Sequence, residues 1–158
     1  MLQDKLYLKP ASMEDVDLLY EWRNETECRK NSINTSYIEY GDHCRWFAGE
    51  LNSDTCNIFI CMKEQMYGEG CDPVGQVRID YGKDRTGEIS YSIGAEYRCN
   101  GYGTRILKML EESKNTRENA DRLCAVVKSG NTASQKCFEK LGYVKSIKAD
   151  MVYYSKDL

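Results

Sequence analysis

The chain has 158 residues, 30% of them charged, a formal net charge of −3 at pH 7 and a mean hydropathy of −0.65. That is the length of one domain, large enough to bury about two-thirds of its unfolded surface, and the acidic balance gives no footing for a nucleic-acid-binding face. No apolar run approaches the roughly 20 residues that cross a bilayer, and the N-terminal MLQDKLYLKP lacks an apolar stretch, so neither a membrane span nor a signal peptide is expected.

In chain order, residues 5–8 read as a short strand closed by Pro10. Ser12 then caps a helix, with Asp15 in the place of a capping-box glutamate. Val16, Leu19 and Tyr20, with Leu18 and Trp22 alongside, give that helix an apolar face up to about Asn24. Residues 25–40 are polar and irregular. Asp42 is the expected cap of a second helix, in which Trp46, Phe47 and Leu51 recur at helical spacing. Residues 57–63 and 74–81 read as strands separated by Gly68, Gly70 and Pro73, and residues 82–87 as a hairpin turn. After Glu88, Ser90 and Ser92 alternate with Ile89, Tyr91 and Ile93, the period of a half-buried strand.

The stretch that follows, Arg98-Cys99-Asn100-Gly101-Tyr102-Gly103, leads into a helix carrying Ile106, Leu107 and Leu110 on one face and ending around residues 115–120. Glycines let backbone N–H groups approach a ligand, and a helix N-terminus adds partial positive charge. With Arg98 supplying a full charge, this is a seat for phosphates. A dinucleotide fingerprint would need a small residue where Ile106 stands, and the Gly-Lys-Ser/Thr of a Walker loop is absent. Residues 123–127 form a continuous apolar run, hence a buried strand, and the strand–helix–strand passage implies a right-handed parallel crossover. A last helix has Ala133, Cys137 and Leu141 four apart and stops at Gly142; weak strands follow at 143–147 and 152–155.

Arg-x-x-Gly-x-Gly directly after a strand resembles the pyrophosphate loop of the GCN5-related N-acetyltransferases. Asn131-Thr132-Ala133-Ser134 through Phe138-Glu139-Lys140-Leu141-Gly142-Tyr143 resembles that family's Asn-x-x-Ala/Ser … Tyr-Glu-Lys-x-Gly-Phe segment and lies, as there, after an apolar strand. The resemblance covers essentially the whole chain. It implies a single α/β (α+β) GNAT domain over residues 1–158. The fold would be a mixed, mostly antiparallel sheet of six to seven strands, about four helices and a splayed central parallel pair. The implied activity is transfer of an acetyl group from acetyl-CoA, the acetyl donor, to a primary amine by direct attack.

The same resemblance implies site residues. Arg98, Cys99, Asn100, Gly101, Tyr102, Gly103 and Thr104 would hold the pyrophosphate. Ser92 and Ile93, with Asn131 and Ser134, would meet the pantetheine arm; Asn131 also suits a plain helix N-cap. An attacking ammonium must first lose a proton, and Glu88 at the head of the central strand is the candidate base. Where the family often has a proton-donating tyrosine this chain has Phe138, so Tyr143 or Tyr91, or water, takes that place.

On the acceptor side, Trp22, Arg23 and Asn24 followed by Arg29 and Lys30 resemble the branch acting on nucleotide-linked amino sugars, of the kind that acetylates a UDP-sugar in pseudaminic acid synthesis. Arginines and a lysine suit a diphosphate, and Trp22 or Trp46 suits stacking on a base or sugar. A protein N-terminal acetyltransferase and a non-catalytic acetyl-CoA-binding module remain as alternatives. His43 reads as a helix-start residue. Eight cysteines without a Cys-x-x-Cys pair, and one histidine, suit no zinc site, so no metal is expected. They fit reduced thiols in a cytoplasmic enzyme with a small-molecule amine acceptor, no nucleic acid or membrane partner, and room for a homodimer.

Overall fold

The computed structural model describes residues 3–158; Met1 and Leu2, the start of the expected domain and of the stretch read for a signal peptide, lie outside the described residues. Seven strands form one sheet in the order β1-β2-β3-β4-β5-β7-β6. They are β1 (Leu6–Pro10), β2 (Cys56–Glu64), β3 (Cys71–Tyr81), β4 (Thr86–Ile93), β5 (Arg122–Lys128), β6 (Val144–Lys148) and β7 (Met151–Asp157). Every neighbouring pair is antiparallel except β4 and β5, which run parallel. The mixed GNAT architecture implied by the sequence is present.

Alternation along the strands makes both sheet faces apolar, and helices cover both. On one face, Ile106, Leu107 and Leu110 of α4 (Tyr102–Glu112) and Phe138 of α6 (Thr132–Lys140) pack with Val77, Ile79, Ile89, Leu123 and Ala125. On the other, Leu19 of α1 (Val16–Asn24) and Phe47 of α3 (Tyr40–Leu51) cover Cys56, Ile58 and Ile60. Burying a side chain such as Leu107 or Ile60 contributes about 1.5–3 kcal/mol.

Among the described residues there are six α-helices rather than about four. The segment expected to be irregular contains α2 (Thr26–Asn31), which starts where the Glu25 side chain accepts from the Cys28 N–H at 2.9 Å. None of its residues is buried, so it has no apolar periodicity to read. α3 begins at Tyr40, ahead of the expected Asp42 cap: the His43 N–H donates to the Glu39 carbonyl at 3.0 Å, and Asp42 sits in the first turn paired with Arg45. The long helix expected from Gly103 breaks at Ser113, whose hydroxyl accepts from the Thr116 N–H at 3.2 Å and starts α5 (Lys114–Asn119). The Ser12–Asp15 capping box forms, on a single 3-10 turn that leads into α1.

The feature that positions the site is the failure of one ladder. β4 and β5 pair at Thr86↔Arg122, Gly87↔Leu123 and Glu88↔Cys124 and then part. Beyond that point β4 stays paired to β3 as far as Ile93, and β5 to β7 as far as Lys128. The inner backbone edges of the two central strands therefore face a gap, unpaired to each other, with the Ile93 carbonyl taken by Arg98 Nε at 3.2 Å. Among the described residues no helix is long and apolar enough to cross a membrane.

Candidate active site

A cavity of 460 Å³ fills the gap between the parting strands. Ser90, Tyr91 and Ser92 line it from β4, Ala125, Val126 and Val127 from β5, and Asn131, Ser134 and Phe138 from α6 and its N-cap. At its other end the lining is Trp22, Arg23, Cys28, His43, Trp46, Gln76 and Arg78, with residues 31–33 and Ile38.

The loop after β4 reaches α4 through two residues in the left-handed region, Cys99 (φ 63) and Gly101 (φ 76), the latter being the helix N-cap. A Cβ at Gly101 would meet nothing within 4 Å, so its conformation, not crowding, calls for glycine. At Gly103 the reason is space: a Cβ there would lie 3.1 Å from Cys137 Sγ and 3.2 Å from Tyr91 Cε2. The first N–H groups of α4 have no partner within the helix, the arrangement that suits an anion. Asn100 steadies the turn by donating from Nδ2 to the carbonyls of Tyr97 (3.1 Å) and Arg98 (2.9 Å). Tyr102 is buried, its hydroxyl on the Asp4 carboxylate, which leaves its backbone for a ligand. Thr104 is half-buried in the first turn of α4.

Arg98 departs from the expected free charge. Its Nη2 donates to Glu25 Oε2 at 2.7 Å and its Nε to the Ile93 carbonyl at 3.2 Å. The guanidinium holds the Glu25 carboxyl below its usual range. That leaves the backbone N–H groups of the loop, rather than the Arg98 side chain, open toward an anion. Asn131 caps α6, its Oδ1 accepting from the Ser134 N–H at 3.2 Å, and it also lines the cavity.

The expected acid and the acceptor residues divide. Tyr143 is buried behind Phe138, with ring centroids 5.0 Å apart, and is outside the cavity lining. Burial pushes its phenol up, and its hydroxyl has no partner among the described residues. It is therefore corrected from proton donor to core residue. Tyr91 does line the cavity, and burial raises its phenol too, which keeps it protonated. Glu88 is exposed and stands at the closed end of the gap, outside the lining, on the same sheet face as Ser90, Ser92 and Arg78. No carboxylate among the described residues lines the cavity.

Trp22 and Arg23 line the acceptor end, whereas Asn24, Arg29 and Lys30 do not. Asn24 instead staples the loop after α2, pairing with both the N–H and the carbonyl of Ile38 at 2.9 Å. Arg29 donates to the Thr35 carbonyl and lies over the Tyr37 ring, and Lys30 is exposed. Arg23 Nη2 donates to the Asn34 carbonyl at 2.7 Å, and Nη1 is buried with no partner among the described residues. Trp46, expected on a core-facing stripe, is 42% exposed at the rim, with Arg78 over its ring at 5.4 Å.

Sequence reasoning missed Gln76 and Arg78. Their alternation within β3, opposite Ser92 and Ser90, was readable, but the register that places them there was not. His43 was also underestimated. It is 2% exposed, stacked on Phe47, with its Nε2–H donating to the Val16 carbonyl at 3.0 Å and Nδ1 without a partner among the described residues.

Residues 5–144 match the family described as acetyltransferase (GNAT) domain. The chain belongs to the GNAT family. It is an acetyl-CoA-dependent N-acetyltransferase. No curated protein matches this acetyltransferase significantly. Among solved structures it is similar to a domain from Methanocaldococcus jannaschii, with 20% identity over 99% of this chain and 100% of the other and a TM-score of 0.82. It is also similar to the spermidine N-acetyltransferase from Vibrio cholerae, solved with CoA and spermine, at 14% identity over 96% of this chain and 95% of that one (TM-score 0.81). An aminoglycoside acetyltransferase solved with coenzyme A has 16% identity over 97% and 95% of the two chains (TM-score 0.78). At these identities the likeness is one of fold. The residues of this GNAT domain fit the donor: unpaired strand edges beyond Glu88 for an extended amide-bearing arm, and a helix N-terminus entered through Gly101 for a pyrophosphate.

Proposed function

We propose that this N-acetyltransferase acetylates the amine of a nucleotide-linked amino sugar in the cytoplasm. The observation that carries the reading is Arg23, which lines the acceptor end of the cavity with Nη1 buried and unpartnered. A desolvated guanidinium nitrogen without a partner is costly, and a phosphate of the acceptor would relieve that cost with a charge-assisted bond. Trp46 at the rim offers a face for a sugar or base, and eight free thiols suit a reducing compartment.

Acetyl-CoA lies along the gap with its pyrophosphate on the backbone of residues 101–104 and its arm against Ser92, Ile93, Asn131 and Ser134. The acceptor amine comes from the side of Trp22, Arg23 and Arg78. Because no carboxylate lines the cavity, its proton leaves through water to Glu88, which shares a sheet face with Ser90. With Tyr143 in the core and the Tyr91 hydroxyl packed beside Gly103 and Cys137, water is the proton donor left for the departing thiolate. Mass spectrometry of reactions with acetyl-CoA and a panel of UDP-linked amino sugars, free amino sugars, polyamines and N-terminal peptides tests this. One added acetyl group on a nucleotide sugar supports it, and product on polyamines or peptides alone removes it.

A further inference from the structure

α2 is a wall of the acceptor end: Cys28 and Asn31 within it, and Ser32 and Ile33 just after it, line the cavity. None of its six residues is buried, so core packing does not hold it in place. Its ends do. At the N-terminal end Glu25 Oε2 accepts the Cys28 N–H at 2.9 Å and the Arg98 Nη2 at 2.7 Å, so one carboxylate oxygen serves both the helix and the cofactor loop. At the other end Lys128 Nζ donates to the Lys30 carbonyl at 3.0 Å. Arg98 is tied to Ile93, the last residue of β4, and Lys128 is the last residue of β5. The helix is thus strapped to both lips of the gap that receives the donor.

The geometry points to Glu25 as a positioning residue through which the cofactor loop sets the acceptor wall. A pyrophosphate on the backbone after Arg98 removes freedom from the loop. Arg98, already committed to Ile93 and Glu25, is fixed with it, and so is the carboxylate that starts α2. Donor binding then orders the Cys28–Ser32 wall before any acceptor arrives, and by reciprocity an acceptor against that wall tightens the donor. The inference rests on the placement of the acceptor at this end of the cavity. The opposite coupling, in which the pyrophosphate draws Arg98 off Glu25, would loosen α2 instead, so the sign of the effect is diagnostic.

The test is amide hydrogen exchange over residues 26–33 with and without coenzyme A, with affinity measured in parallel by calorimetry. In the wild-type protein, coenzyme A should slow exchange of these amides about fivefold or more, the low end of ordinary site-to-site coupling. Glu25→Gln keeps an oxygen to cap Cys28 but loses the charge that holds Arg98. It should still bind coenzyme A, and its α2 amides should no longer respond. Arg98→Met should show the same lost response from the other side of the pair. Unchanged or faster α2 exchange in the liganded wild type, or a full response in Glu25→Gln, would overturn the inference. Failure of the wild type to bind coenzyme A would appear in the calorimetry and sink the donor assignment along with it, whereas loss of the nucleotide-sugar reading alone would leave the coenzyme A response in place.

Discussion

Glu88 and Cys124 are the last residues at which the two parallel central strands pair. The hinge of the gap and the candidate base are therefore the same position. A carboxylate there stands at the closed end of the cavity, exposed to solvent, and is suited to receive a proton relayed by water.

Glu88→Gln should lower kcat by about 10²-fold, the lower range for loss of a general base, and leave coenzyme A affinity unchanged. Steady-state kinetics with calorimetry check this. Turnover equal to wild type would move the base elsewhere.

The two loop glycines should fail in different ways. Gly103→Val forces a side chain toward Cys137 Sγ and Tyr91, so it should cost about 1–3 kcal/mol of stability by overpacking and weaken coenzyme A binding. Gly101→Val meets open space but must hold φ near 76°, a strain of about 1–2 kcal/mol; Gly101→Asn, which tolerates that region, should recover most of it. Urea melts and coenzyme A titrations separate the two.

Arg23→Gln should raise the KM for an anionic nucleotide sugar about tenfold or more, the equivalent of one lost charge-assisted bond of about 1.5 kcal/mol, with the KM for acetyl-CoA unchanged. An equal loss toward an uncharged amino sugar would show that Arg23 shapes the loop through Asn34 and does not read charge.

The single histidine gives a pH prediction. Burial lowers the His43 pKa, because protonation would place a second N–H on Nδ1 where no partner stands among the described residues. In the folded protein the value lies below the unfolded one of about 6.5, so the unfolded state binds more protons between the two. Stability should be full above about pH 6.5 and fall as the pH drops toward the folded value. His43→Phe should flatten this slope in thermal melts between pH 5 and 7, whatever its effect at neutral pH. An NMR titration midpoint at or above 6.5 for the one imidazole would contradict the assignment.

Local chemistry was legible in the sequence. Strand alternation at 89–93, the glycine loop with Arg-x-x-Gly-x-Gly, the Asn131 cap and the apolar run at 123–127 depend on neighbours a few residues apart. They led to the GNAT fold and the acetyl donor without coordinates. The tertiary structure decided the rest. That Tyr91 lines the cavity while Tyr143 is buried outside its lining is a matter of tertiary packing, in which both rings meet Phe138. α2 has no apolar stripe, so no periodicity announced it. Arg98 looked like a free cation because its partner, Glu25, is 73 residues away. Among the basic residues of the acceptor segment, only Arg23 reaches the cavity. Short-range spacing sets which elements form, whereas the register of β3 on β4 and the course of residues 25–40 over the sheet set which charges meet. Those distances in sequence are too long for any local pattern to encode.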